Sequence, residues 1–343
     1  MNLIKSFCYP FVLIMAVVGA VGASAQTPDD NTPAQLSRRQ LLATSYNNDG
    51  IFSHLDVGLS LGTAGLGIDV STNVTRYGRL RIGADWIPPV AVPMTFNIQS
   101  YSDGAIHQGN FGTLQRFMRE LTGIEVDEKV HMHGKPAMAQ FKFLMDFYPF
   151  PDKGWRVSAG FYVGKSRVAK ALNVMEEMPS LLAVNIYNKT YDYFMETDFY
   201  ETPLPIPGID PVYLDPFMVE EIRAELQEHG YMGIHVGDFK DGKPYIMHPD
   251  TDGMVKANMF VNAFRPYVGA GYTTPFSSNK RLIFDVDFGM MMWGGEPDII
   301  THEGVNLTKD VVNIKGRVGS YVRLVSRFKV YPMVNFRLSF RTF

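Results

Sequence analysis

Eight separate stretches of this chain alternate apolar and polar residues one by one, and no other feature constrains the fold as strongly. A period of two puts every second side chain on one face of an extended strand, whereas a helix would scatter the same residues around its circumference. The first run sets Leu55, Val57, Leu59 and Leu61 against Asp56, Gly58, Ser60 and Gly62. The second sets Ile68, Val70 and Val74 against Asp69, Ser71, Asn73 and Thr75. In the third, Leu80, Ile82, Ala84 and Trp86 oppose Arg79, Arg81, Gly83 and Asp85. Then Phe141, Phe143, Met145 and Phe147 face away from Lys142, Asp146 and Tyr148, and Trp155, Val157, Ala159, Phe161 and Val163 from Arg156, Ser158, Gly160, Tyr162 and Gly164. Phe264, Val268, Ala270 and Tyr272 oppose Arg265, Tyr267, Gly269 and Gly271. Leu282, Phe284, Val286, Phe288, Met290 and Met292 oppose Asp285, Asp287 and Gly289. The last run sets Val334, Phe336, Leu338 and Phe340 against Asn335, Arg337, Ser339 and Arg341.

The connections are as ordered as the strands. Tyr77-Gly78, Pro149 to Gly154 and Thr273 to Lys280 are short, and Thr63-Ala64-Gly65 makes a tight turn after the first run. Three links, about 87–137, 165–255 and 294–331, are very long. In an antiparallel arrangement the three long links share one side with the tight turn, and the three short turns share the other. Outer-membrane barrels have this layout, with an even strand count, short inner turns and long outer loops.

Alternation alone does not say which face is outside, and a soluble eight-stranded barrel of lipocalin type has the same period. The composition of the polar face separates the two. It is built from Gly, Asp, Arg, Tyr and Ser with Lys142 as its lysine, whereas a water-facing sheet would be rich in Lys, Glu and Thr. Glycines there suit a narrow lumen in which side chains compete for space. Tyr77, Tyr148, Phe150, Trp155, Tyr272, Phe276 and Phe343 gather at the short-turn ends, with Trp86 and Trp293 at the other, as two interfacial girdles would. The expected fold is all-β: an eight-stranded antiparallel transmembrane β-barrel with long, partly helical extracellular loops.

Composition narrows the rest. Lys+Arg at 32 against Asp+Glu at 35 gives a net charge of −3 without blocks of either sign, which argues against nucleic acid. Lys5, the apolar run Phe11 to Ala23 and Ala23-Ser24-Ala25 form a signal peptide over 1–25, its run shorter than the roughly 20 residues a spanning helix needs. The single cysteine, Cys8, lies inside it, so the mature chain has no thiol for disulfides, catalysis or metal. Residues 26–50, with Pro28, Pro33 and Asn47-Asn48-Asp49-Gly50, read as a leader, and 51–343 as the barrel.

Arg265-Pro266-Tyr267-Val268-Gly269-Ala270-Gly271-Tyr272 resembles the strand motif of small outer-membrane barrels of the outer-membrane-protein-A, -X and -W kind. Phe336, Leu338, Phe340 and the terminal Phe343 are similar to the closing-strand signal read by the barrel-assembly machinery, although Phe343 departs from the parity of Phe340. The overall pattern, Gly316 to Phe343 included, is closest to Bacteroidetes-type outer-membrane barrels. The resemblance implies a cell outer-membrane location, contact with outer-membrane lipids and lipopolysaccharide, and the assembly machinery as a partner during biogenesis. It is silent on activity.

On this parity Arg79, Arg81, Lys142, Arg156, Arg265, Arg337 and Arg341 face inward with Asp56, Asp69, Asp85, Asp146, Asp285 and Asp287. Near-equal numbers predict a paired network that plugs a lumen only wide enough for side chains. The function expected is therefore structural or surface-binding, through the long loops. A small channel or a component of a transport or secretion machine is the alternative, and a lipid-modifying enzyme a second one.

In the loops, Leu114, Phe117, Met118 and Leu121 before Gly123 predict a helix. Asp215-Pro216 with Met218, Ile222 and Leu226, stopping at Gly230, predicts a capped one, and Val318, Tyr321, Val322 and Val325 a third. Ser53-His54 lies at the periplasmic end and reads poorly as a lipid-facing catalytic pair. His131-Met132-His133 lacks a third metal ligand, and Asp250-Thr251-Asp252-Gly253 lacks the bidentate glutamate of a calcium loop. No catalytic residue, metal site or cofactor is assigned.

Overall fold

The computed structural model describes Phe52 and residues 54–342, except 76, 103–104, 108–110, 124, 151–153, 200–202, 204–211, 277–280, 316–318, 321 and 324–328. The signal peptide, the leader, Ser53 and Phe343 lie outside the described residues, as does most of the third expected loop helix.

In chain order the first elements are β1 (Leu55–Gly62), β2 (Gly65–Thr75), β3 (Gly78–Trp86), β4 (Val92–Ser102), β5 (Ala105–His107), α1 (Phe111–Thr122) and β6 (Lys129–Pro136). Next come β7 (Ala139–Phe150), β8 (Trp155–Gly164), β9 (Arg167–Asn173), α2 (Met178–Glu196), α3 (Pro216–His229), β10 (Tyr231–Phe239) and β11 (Pro244–Met247). The chain finishes with β12 (Lys256–Phe260), β13 (Phe264–Pro275), β14 (Leu282–Met292), β15 (Asp298–Thr301), β16 (Val311–Val312) and β17 (Val330–Arg341).

All eight alternating runs are strands, and they close into one antiparallel barrel in the order β1-β17-β14-β13-β8-β7-β3-β2. The parity read from sequence sorts the two faces. Leu59 at 67% and Phe141 at 73% exposure stand outside, while Asp56, Arg156 and Arg337 are buried inside. Such a surface is matched to hydrocarbon, where each Å² kept from water is worth about 25 cal/mol. No described helix is long and apolar enough to cross a membrane, which says nothing of a crossing by strands.

Two aromatic assignments need correction. Tyr77, Phe150, Trp155, Tyr272 and Phe276 are exposed at the short-turn end, and Trp86 at the other. Tyr148, however, shares the parity of Asp146 and is buried in the lumen, where the Arg79 Cζ lies 5.7 Å from its ring centroid. Trp293, just past the end of β14, turns inward and stacks on Tyr331 at 5.1 Å between ring centroids.

The long links are also more ordered than loops. Barrel strands β3, β8 and β14 lead into β4, β9 and β15, and β6 and β12 lead into β7 and β13. The barrel order β3, β7, β8, β13, β14 thereby recurs as β4, β6, β9, β12, β15 in a second sheet, completed by β10, β11 and the short β5 and β16. One side of the barrel wall therefore continues past the mouth. Met132 and Val130, which share the even parity of the lumen-facing Gln140, remain buried on the inner face of this extension.

Helices pack on that inner face. Leu181, Val184 and Tyr187 of α2 share a core with Ile98, Met132, Ile234 and Leu226. The Asn188 amide donates to the Met232 carbonyl at 2.8 Å and accepts from its N–H at 3.0 Å, tying α2 to β10. α3 follows its sequence signals: Asp215 accepts from the Phe217 N–H at 2.8 Å, Pro216 opens the helix, and Gly230 ends it at φ 68°. α1 likewise stops before Gly123, at φ 71°.

Candidate functional site

The lumen holds a charge network built from six strands. Five aspartates (Asp69, Asp85, Asp146, Asp285, Asp287) and five cations (Arg79, Arg81, Lys142, Arg156, Arg337) form one connected set of ion pairs. Asp285 is its hub, 3.1 Å from Arg79, 2.8 Å from Arg156 and 2.7 Å from Arg337. Asp146 joins Arg79 at 3.0 Å to Arg81 at 2.7 Å, and Asp287 joins Arg81 at 2.9 Å to Arg156 at 2.6 Å. Lys142 bridges Asp69 at 3.2 Å and Asp85 at 2.7 Å, while Arg337 returns to Asp69 at 2.6 Å. The set is neutral as a whole. Each group would be prohibitive alone in a low-dielectric interior, and mutual pairing offsets that cost even though Asp69 Oδ2, Arg81 Nε and Arg156 Nε make no hydrogen bond among the described residues.

The remaining three lumen charges stand apart. Asp56 and Arg341 pair at 3.1 Å near the short-turn end, with His54 3.6 Å from Asp56. His54 is buried there and faces the lumen charges, away from lipid. Arg265 forms no ion pair among the described residues. Its guanidinium donates to the Asn262 carbonyl at 2.7 Å, Gln140 Oε1 at 2.7 Å and the Lys165 carbonyl at 2.6 Å, at the mouth end of the barrel.

Neutral members of the network share the parity of its charges but were not singled out from sequence. Ser158 donates to Asp146 at 2.6 Å, Lys142 to Ser60 at 3.2 Å, and Arg337 to Ser71 at 3.0 Å. Thr273 links Arg156 and Asp285. Extending the parity rule to hydroxyls would have found them.

Above the charges lies an apolar layer. Leu144, Tyr162, Tyr267, Met291 and Met333 point inward and pack with Met138, Val168, Val261 and Trp293 at the mouth. Paired Gly269 and Gly289 make room for Tyr267: a Cβ at either would lie 2.3 or 2.4 Å from its hydroxyl. A void of about 10 Å³ remains between Arg81, Lys142, Tyr267 and Arg337, at the lower limit for one water.

The wall extension carries a different feature. Thr95, Asn97 and Gln99, alternate residues of β4, line a cavity of about 410 Å³ with His235 and Lys315. His131 and His133 lie on β6 in register with Thr95 and Pro93. Asp250 and Asp252 both hold the Lys256 ammonium, at 3.1 and 2.6 Å. Phe336, Leu338 and Phe340 face outward on β17, where Leu338 and Phe340 are each 46% exposed.

No protein-family model matches the chain, and neither does any curated protein. Among solved structures it is similar to Acinetobacter baumannii CarO2 at 13% identity, covering 84% of this chain and 98% of that one with a TM-score of 0.34. Acinetobacter baumannii CarO matches at 11% identity over 85% and 99%, with a TM-score of 0.33. A major outer membrane protein from Thermus thermophilus matches at 9% identity over 84% and 98%, with a TM-score of 0.29.

Proposed function

We propose that this chain is an integral outer-membrane protein, exported by a cleaved signal peptide, whose lumen is closed and whose folded wall extension and helices serve a structural or surface-binding role without catalysis. The observation that carries the reading is the filled lumen: a neutral ten-residue ion network under an apolar layer, with a void of about 10 Å³ between them. A selective pore needs a continuous path with one sign of charge in excess, and here each of the ten charges is held by a counter-charge. The cavity beside Thr95, Asn97 and Gln99 is the concave polar surface available for a ligand outside the barrel.

Reconstitution in planar bilayers tests the closed lumen. The expected record is a flat baseline, and stable single-channel steps from the pure protein would replace this reading with the channel alternative. Location is tested by gel mobility with and without boiling, together with protease shaving of intact cells. A heat-shifted band and release of fragments from the wall extension are expected.

A further inference from the structure

The outward face of the barrel carries a shallow groove near the mouth. At the mouth ends of β2, β3 and β7 this groove of about 550 Å³ opens between Leu66, Ile68, Trp86 and Phe141, where the small Ala84 and Ala139 line it. Its walls are apolar, yet its upper end is not. Exposed Lys165 lines that end, whereas Gln140, which also borders the groove, turns its side chain into the lumen, where its Oε1 accepts from Arg265. Behind Gln140 sits the fully buried Arg265, which meets only neutral acceptors. Asp85 also lines the groove, but its carboxylate is 2.7 Å from Lys142.

Basic residues continue upward from this point along the wall extension. Lys165, Arg167 and Lys170 are exposed, and Lys135 is half-buried. Lys135 and Lys170 are direct cross-strand partners, so their side chains share a face. Like charges placed opposite one another repel, and none of these four cations has an ion-pair partner among the described residues. Apolar groove and uncompensated cations follow one another in the order that the chains and phosphate of a membrane lipid would require.

We propose that this groove binds a phosphate-bearing lipid of the mouth-side leaflet, with an acyl chain between Trp86 and Phe141 and the phosphate at Lys165, Lys135 and Lys170. The inference rests on the membrane-embedded reading above. Phosphate supplies the missing counter-charge for the lysine pair, and each cation near a lipid surface adds about a fivefold preference for anionic headgroups.

The test uses the full protein in phosphatidylcholine vesicles containing a minor fraction of lipid with brominated chains, as either phosphatidylcholine or phosphatidic acid. Bromine quenches tryptophan on contact, and a W86F variant assigns the part of the signal due to Trp86. Brominated phosphatidic acid is expected to quench Trp86 more effectively than brominated phosphatidylcholine, by about fivefold for each lysine that reaches the phosphate, and K135Q/K165Q/K170Q to abolish that preference. Trp155, at the opposite end of the barrel, reports both lipids equally in both proteins. Equal quenching of Trp86 by the two lipids, or a preference surviving in the triple variant, overturns the lipid site while leaving the barrel reading intact. If neither lipid quenches Trp86 or Trp155, the membrane reading itself falls. The heat-shifted band of the triple variant establishes that it folds.

Discussion

Arg156 on β8 reaches across β13 to place its Nη1 2.8 Å from Oδ1 of Asp285 on β14. The contact joins strands that share no backbone hydrogen bonds, so it ties the barrel across its interior rather than along its wall. Removing one side of a buried pair costs about 3–5 kcal/mol, because the other charge remains buried without its partner. D285A leaves Arg79, Arg156 and Arg337 each short of a carboxylate and is expected to lower the urea midpoint of the heat-shifted band strongly. D285N, which keeps acceptor capacity, should fall between. An unchanged midpoint in D285A would mean that the network does not hold the barrel together.

Tyr267 depends on the absence of side chains at Gly269 and Gly289. Overpacking typically costs about 1–3 kcal/mol, and G289A is expected to destabilise the barrel by that amount. Removing the ring relieves the clash, so G289A should cost less in a Y267A background than in the natural chain. Additive effects in that double-mutant cycle would show that the glycine pair is not there for the tyrosine.

Asn188 makes both of its bonds to Met232, at 2.8 and 3.0 Å, in a buried setting. N188A should therefore weaken the docking of α2 on β10 by about 2 kcal/mol and speed amide exchange there. The barrel amides should be unaffected, since the residue touches none of them. Uniform acceleration across the barrel would instead make the whole chain one cooperative unit.

Glu303 gives the wall extension a pH dependence. Burial pushes its carboxyl up, but hydrogen bonds from the His248 side chain and N–H and from the Tyr245 hydroxyl outweigh this and hold it below the ordinary 4.5. A carboxylate depressed on folding contributes stability that is complete above its unfolded pKa and disappears as pH falls through the folded value. Proteolysis of the segment containing β11 and β15 should accelerate below about pH 4.5 in the natural chain, while E303Q should be cleaved faster at neutral pH with a flatter profile. Identical profiles for the two proteins would remove Glu303 as the cause.

Much of this molecule is legible in its sequence. The eight strands, their inward parity and the two helices bounded by Gly123 and Gly230 follow from spacing and caps, which depend on residues within a few positions of each other. The reading failed where structure depends on distant partners. β10 is buried on both faces from Met232 to Gly237, so it shows no alternation, and its neighbours β4 and β16 come from other links. α2 escaped notice because apolar residues such as Leu181, Val184 and Tyr187 are mixed with Asn185, Asn188 and Lys189 in a weak stripe. Position along the strand places Tyr148 and Trp293 among the girdle residues, whereas the direction of each side chain buries both.

The sequence by itself determined which side chains enter the barrel, because a strand's two faces are fixed by counting in twos. Only the tertiary structure decided whom they meet. Arg337 and Arg265 occupy equivalent inward positions, yet one is clamped by Asp69 and Asp285 and the other is left with neutral acceptors beside Gln140. That difference comes from strand order, register and depth in the barrel, which are set by pairing between residues far apart in the chain. Local alternation carries no record of them.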